Sequence, residues 1–185
     1  MLGKINWKEV DARLPTLLTP EDKAKRLKLF SQMDVNGNRI VSLAEVDKAF
    51  RDVFAMVQIY DSKPVLLKAF NAAKGIDVHS KSNFADDYVS WSEFRVLLVK
   101  IKEYFEVWAA FDRVDTSDDK RITPEEFSKA IGSIERWVGK IGDPAAEFKK
   151  IDKNGGGFIL FDEFLTWALE KNLDVEVDDG YEDKI

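Results

Sequence analysis

The chain has 185 residues, 45% of them hydrophobic and 12% aromatic, so it can bury a core in one domain or in two small lobes. Its net charge is −6, and its acidic and basic residues are interspersed, which excludes a basic nucleic-acid surface. Cysteine is absent, which excludes disulfides, thiolate metal sites and S-acylation. No apolar run approaches the ~20 residues of a membrane-spanning helix and no signal segment is visible, so we expect a cytoplasmic protein.

The first predicted element is a short helix that ends near Pro15. Asn6 precedes it as an N-cap, and Trp7, Val10 and Leu14 fall on one face, which we expect to dock on the core. The next helix starts with the sequence Thr-Pro-Glu-Asp, an order typical of a helix N-terminus. The chain is therefore predicted to begin with a lead-in helix in front of a longer one.

A twelve-residue loop after this helix, from Asp34 to Glu45, places oxygen donors at positions 1, 3, 5, 7, 9 and 12. Calcium prefers about six to eight oxygen ligands at ~2.3–2.6 Å, and this spacing supplies them. Arg39 occupies position 6, where glycine usually provides a positive φ, at a cost on the order of 1 kcal/mol. We therefore predict binding that is weaker than at the third loop below. The predicted ligands are Asp34, Asn36, Asn38, the carbonyl of Ile40, Ser42 and Glu45.

The second copy of this pattern lacks a complete set of calcium ligands. A helix leading to Phe70 puts the start of the loop at Lys74, a cation where the first carboxylate belongs. Glu93 is the closing residue, but its distance from Lys74 along the chain exceeds the twelve residues of a complete loop. Counting back from Glu93 instead gives Ser82 and Phe84 at positions 1 and 3, which makes no cage either. We predict a structural copy that binds no calcium.

The third loop, from Asp115 to Glu126, is the strongest of the copies, because three of its ligand positions carry carboxylates. A single acidic stretch of this length can also be a surface loop. Its repetition along the chain favours an EF-hand, the helix–loop–helix motif that binds calcium. Lys120 occupies position 6, and Thr123 is expected to act through water at position 9. The other predicted ligands are Asp115, Ser117, Asp119, the carbonyl of Arg121 and Glu126.

The fourth loop runs from Asp152 to Glu163 and has glycine at position 6. Positions 5 and 9 are Gly156 and Leu160, which offer no side-chain oxygen, so water must complete the coordination shell. From the sequence alone, occupancy of this loop stays open. The predicted ligands are Asp152, Asn154, the carbonyl of Phe158 and Glu163.

Hydrophobic residues at position 8 are expected to pair the loops. In EF-hands this residue forms a short bridge to the neighbouring loop. We therefore predict Val41 opposite Val89, and Ile122 opposite Ile159. One helix–loop–helix unit cannot cover its apolar face alone, which explains why a second hand without ligands is kept.

The predicted fold is all-α, with four EF-hands in two paired lobes and an extra N-terminal helix. Neither glycine nor proline occurs between Trp91 and Phe111, so we expect no flexible linker and two lobes packed compactly together. The predicted divisions are residues 1–18 for the lead-in, 19–100 and 101–173 for the two pairs, and 174–185 for a frayed acidic tail.

Four stretches carry a family resemblance: residues 7–15, residues 26–36, the long second loop and the run Phe161-Asp162-Glu163-Phe164. Through them the chain resembles the flagellar calcium-binding proteins (calflagins) of trypanosomatids over most of its length. The resemblance implies a calcium sensor that associates with the flagellar membrane through N-terminal acyl groups. This sequence has Gly3 instead of a glycine directly after the first Met, and no cysteine, so we expect no acylation.

Three functions are compatible with such loops. Our main hypothesis is an intracellular calcium sensor that changes shape and engages a protein or membrane partner. The alternative is a passive calcium buffer, against which the few charges in the first and fourth loops speak slightly. A calcium-regulated photoprotein needs several histidines around its ligand, whereas His79 is the single histidine and lies in a polar insertion. We expect a monomer that is not an enzyme and that binds neither nucleic acid nor a small-molecule substrate.

Overall fold

The computed structural model describes residues 5–52, 62–74, 76 and 87–175. The predictions for His79, Ser82 and Phe84, and for residues 176–185 of the acidic tail, concern residues outside these ranges. Within them the chain forms eight helices and two short strands, as predicted for an all-α EF-hand fold. The helices are α1 (Trp7–Arg13), α2 (Pro20–Met33), α3 (Leu43–Asp52), α4 (Lys63–Ala73), α5 (Trp91–Val114), α6 (Pro124–Val138), α7 (Pro144–Ile151) and α8 (Phe161–Glu170). The strands are β1 (Ile40–Ser42) and β2 (Tyr88–Ser90).

Side-chain caps fix where several of these helices begin. Thr19, Thr123 and Asp143 each accept a hydrogen bond from an N–H group of the first turn, and each is followed by proline at the first helical position. A cap satisfies one of the N–H groups that have no partner inside the helix, and proline has no N–H to satisfy. The side chain of Asn6 caps α1 by accepting a hydrogen bond from the N–H of Glu9, as predicted.

The chain divides into two compact units. The N-terminal unit comprises residues 6–105, and the C-terminal unit comprises Ile5 and, among the described residues, 106–175. Helix α5 runs without a break across the boundary between the units, in keeping with the absence of glycine and proline between Trp91 and Phe111. Among the described helices, none combines the length and the apolar character that crossing a lipid bilayer requires.

The N-terminal unit is built around the antiparallel pair β1–β2, in which Val41 lies opposite Val89 as predicted. Both valines are fully buried. Helix α1 packs against α5, with the Trp7 and Phe105 ring centroids 5.8 Å apart. An ion pair of 2.6 Å between Lys102 and Asp11 adds to this contact. The lead-in helix is therefore part of the core of this unit.

In the C-terminal unit, a two-way backbone bridge joins Ile122 to Ile159, with N–H···O distances of 2.9 and 2.8 Å. This confirms the predicted pairing of the third and fourth loops. In the core of this unit, Phe164 contacts Phe111 and Trp167, with ring centroids 5.7 and 5.4 Å apart. These three buried rings belong to the aromatic core of the C-terminal unit.

Candidate metal centre

The three complete loops follow the same backbone course, although their residues differ. In each loop, the residues at positions 4 and 6 have positive φ. Arg39 and Lys120 both have φ 67° at position 6, so the strain predicted for a side chain there is present in the first and third loops. The other residues are Gly37 (φ 70°), Asp118 (φ 59°), Gly155 (φ 68°) and Gly157 (φ 81°).

The carboxylate at position 1 organises the turn in every complete loop. It accepts hydrogen bonds from the N–H groups of positions 5 and 6, at distances between 2.8 and 3.3 Å. The three carboxylates belong to Asp34, Asp115 and Asp152, and each loop wraps around one of them. The predicted first ligand thus lies at the centre of its loop.

The closing glutamate reaches from the exiting helix back to the opening half of the loop. Glu126 is 8% exposed, and its Oε2 accepts hydrogen bonds of 2.9 Å from both the N–H and the hydroxyl of Thr123. Its Oε1 accepts from the N–H of Ser117 at 3.0 Å and from the hydroxyl of Thr116 at 3.1 Å. Sequence reasoning missed Thr116, because position 2 is not a ligand position of the motif.

The other two complete loops repeat this arrangement. Glu45 accepts from the N–H of Ser42 at 2.9 Å and from the side-chain amide of Asn36 at 3.2 Å. Glu163 accepts from the N–H of Leu160 at 3.0 Å and from that of Asn154 at 3.1 Å. In all three loops the carboxylate of the closing glutamate is therefore hydrogen-bonded to both position 3 and position 9.

The pKa of Glu126 shows how strongly its hydrogen bonds act. Burial alone raises this pKa, but the hydrogen bonds from Thr123 and Ser117 outweigh it and lower the pKa to about 2. The carboxylate is therefore ionised at neutral pH, as a calcium ligand has to be.

The second hand keeps the hydrogen bonds that are found at both ends of the complete loops. The N–H of Lys74 donates to the carbonyl of Phe70 at 3.0 Å, the same bond that the first residue of each complete loop makes to the phenylalanine four residues earlier. At the other end, Glu93 is 4% exposed and accepts hydrogen bonds of 2.8 Å from the N–H and the hydroxyl of Ser90. Sequence reasoning missed Ser90, although a hydroxyl three residues before the closing glutamate also occurs in the first and third loops.

Two cations of the third loop have partners outside its ligand set. Lys120 pairs with Asp118, and its Nζ lies 5.8 Å from the Trp108 ring centroid. The Arg121 guanidinium lies 4.5 Å from the ring centroid of Phe158, which holds the same position in the fourth loop. This cation–π contact joins the two loops beside their isoleucine bridge.

The donors of these loops suit calcium in kind and in spacing. They are carboxylate, amide, hydroxyl and main-chain oxygens, the ligands that a hard divalent cation prefers, with no histidine or cysteine among them. Among the described residues, no three acidic or histidine side chains are already gathered as a metal cluster. This agrees with the hydrogen bonds above, in which Asp115 and Glu126 hold separate N–H groups of the third loop.

The paired helix–loop–helix units, their left-handed turns and their bridged loops define an EF-hand calcium-binding protein. The family described as FCaBP EF-hand domain matches residues 10–101, and the EF-hand domain pair matches residues 107–169. The flagellar calcium-binding protein of Trypanosoma cruzi is 32% identical over 173 residues, covering 93% of this chain and 82% of that protein. Flagellar calcium-binding protein TB-17 of Trypanosoma brucei brucei is 31% identical, covering 95% of this chain and 76% of its own length. The chain belongs to the flagellar calcium-binding protein family, and Ca²⁺ is its ligand.

Similarity to solved structures is weaker. A redox protein from Chlamydomonas reinhardtii aligns with 86% of this chain, at 23% identity and a TM-score of 0.42. The alignment spans 53% of that protein's own length. A similarity of this size does not bear on function.

Proposed function

We propose that this protein is a calcium sensor in which ion capture by the third loop repositions helix α6. Glu126 carries the proposal, because it lies in the first turn of α6 while its carboxylate is bonded to the opening half of the loop. Bound calcium supplies a divalent charge that draws the oxygen ligands of the loop together. Glu126 then exchanges its hydrogen bonds for the ion, and α6 follows as a rigid body because the residue is part of the helix.

The predicted ligands of all three complete loops enter this proposal. The third loop is expected to bind most tightly, because Asp115, Asp119 and Glu126 give it three carboxylates. The first and fourth loops have two each and are expected to bind more weakly. The second hand contributes β2 and its buried closing glutamate to the N-terminal unit, and acts as a scaffold for the first loop.

A passive buffer is the second candidate, and one contact favours it. Glu147 in α7 accepts a hydrogen bond of 2.9 Å from the indole N–H of Trp167 in α8, which ties the entering helix of the fourth hand to its exiting helix. A hand held in this way binds an ion with little opening. If the third hand also moves little, the protein buffers calcium and signals nothing.

The names of the two trypanosome relatives add a location to the proposal. Both are called flagellar calcium-binding proteins, and we place this protein in a flagellum on that basis. Its partner would be a protein or a membrane surface that meets the apolar surface exposed when α6 moves.

Calorimetric calcium titration combined with binding of an apolar dye separates the two candidates. Glu126→Gln should abolish binding at the third loop and leave the first loop largely intact. Glu125→Gln is the matched control, because Glu125 is exposed and lies at a position that ligates nothing in the motif. For a sensor, calcium increases dye binding in the natural chain and in Glu125→Gln but much less in Glu126→Gln. Calcium uptake without any change in dye binding would reject the sensor in favour of the buffer.

A further inference from the structure

The chain reverses direction directly after helix α8. Asn172 has φ 51°, a left-handed conformation for a residue other than glycine, and the N–H of Leu173 donates to the carbonyl of Ala168 at 3.0 Å. This bond, together with one of 3.0 Å from the N–H of Lys171 to the carbonyl of Trp167, closes the helix with a C-terminal turn. The turn directs the next residues back across the C-terminal unit.

Two consecutive N–H groups then attach this segment to two different helices. The N–H of Asp174 donates to the carbonyl of Trp137 at the end of α6, at 3.1 Å. The N–H of Val175 donates to Oε1 of Glu106 in α5, at 2.8 Å. Val175 is fully buried, although the sequence places it in an acidic tail that we expected to be frayed. We call residues 173–175 the C-terminal strap.

The strap is bonded to both helices of the third hand, and its bond to α6 lies at the end of that helix far from the calcium loop. Glu126 lies at the calcium loop and Trp137 lies eleven residues further along α6, ~16 Å away at the rise of an α-helix. A rotation of α6 about the loop displaces its far end most, and that end is the one bonded to Asp174.

A cleft that is open to solvent lies beside the third loop and along α6. A cavity of about 250 Å³ is lined by residues from the end of α5, from the loop and from one face of α6. Because this face of α6 borders solvent and not packed side chains, few van der Waals contacts on this side oppose a shift of the helix. The lining residues include Arg113, Thr116, Glu126, Lys129 and Trp137.

We propose that the C-terminal strap is an autoinhibitory contact that ties the far end of α6 to α5 and opposes calcium capture by the third loop. This inference rests on the proposed movement of α6. Seating Val175 stabilises the arrangement of α5 and α6 described here, and calcium stabilises the rearranged one. By linkage, releasing the strap raises the calcium affinity of the third loop, and calcium loosens the strap.

The first test measures calcium affinity in the full chain by calorimetry. Val175→Ser removes the buried aliphatic side chain without adding a charge, and it should raise the affinity of the Glu126-dependent site about fivefold or more. Leu18→Ser is the matched control, since Leu18 is 80% exposed and lies in the N-terminal unit, and it should leave the affinity unchanged. A Glu126-dependent site with the same affinity in Val175→Ser overturns the strap but leaves the sensor proposal standing.

The second test follows the strap directly by amide hydrogen exchange. The N–H groups of Asp174 and Val175 should exchange slowly without calcium and faster when the ion is added. Equal protection under both conditions overturns the proposal. A titration that Glu126→Gln does not alter would reject ion capture by Glu126, and the strap's role with it.

Discussion

Glu147 and Trp167 are joined by a hydrogen bond of 2.9 Å that links the entering and exiting helices of the fourth hand. Glu147 is 7% exposed, and its carboxylate also lies 3.0 Å from the ammonium group of Lys150 and 3.2 Å from that of Lys171. A buried charge is tolerable only with such partners, because its desolvation has to be offset. The Glu147 carboxylate has three such partners, the Trp167 indole and two ammonium groups.

Trp167→Phe should therefore destabilise the protein. The ring remains apolar, but the buried Glu147 carboxylate loses a donor, which costs about 1–3 kcal/mol. Urea unfolding without calcium measures the effect. Trp91→Phe is the control, since Trp91 is 36% exposed, and it should change the free energy of unfolding much less. Equal losses in both variants would show that ring size, and not the hydrogen bond, decides the result.

The same carboxylate predicts a loss of stability in acid. The hydrogen bond from Trp167, followed by those from Lys150 and Lys171, outweighs burial and lowers the pKa of Glu147 from 4.5 to about 2. Because the folded pKa is the lower one, its contribution of at most about 3 kcal/mol is present above the unfolded value and is lost as the pH falls towards about 2. Unfolding measured between about pH 5 and pH 2 should be less pH-dependent in Glu147→Gln than in the natural chain. Identical slopes would contradict this assignment.

Arg39→Gly should strengthen the first loop. Arg39 has φ 67°, and glycine adopts that conformation at about 1 kcal/mol less cost, which corresponds to a gain in calcium affinity of about fivefold at most. Lys120→Gly tests the same effect in the third loop, where φ is also 67°. Calorimetry should show each change tightening its own loop and leaving the other unchanged. A weaker first site in Arg39→Gly would mean that Arg39 is not at position 6.

Val89→Ala tests the second hand as a scaffold. Val89 is fully buried opposite Val41, so its truncation should cost about 1–3 kcal/mol of stability. It should also weaken calcium binding at the first loop, because β1 loses part of its support, while the third loop keeps its affinity. Leu67→Ala, at a residue 48% exposed, is the control and should do neither. A first loop that is indifferent to Val89→Ala would show that the second hand has another reason to exist.

Much of the fold could be read from local sequence. The twelve-residue spacing, the caps and prolines at helix starts and the hydrophobic residues at position 8 each act over a few residues, so their consequences are fixed wherever the chain folds. Val41 opposite Val89 and Ile122 opposite Ile159 followed from this reasoning, and the structure confirms both pairs.

The sequence by itself thus determined the EF-hand units, the pairing of their loops and the spacing of the oxygen-bearing residues along each loop. Only the tertiary structure decided that Val175 is buried, that Glu147 meets Trp167 across two helices, and that Arg121 lies over Phe158. These contacts join residues that are far apart along the chain or that no local pattern relates. Their formation depends on how whole helices pack, because a side chain finds such a partner only after the core has fixed the direction of each helix.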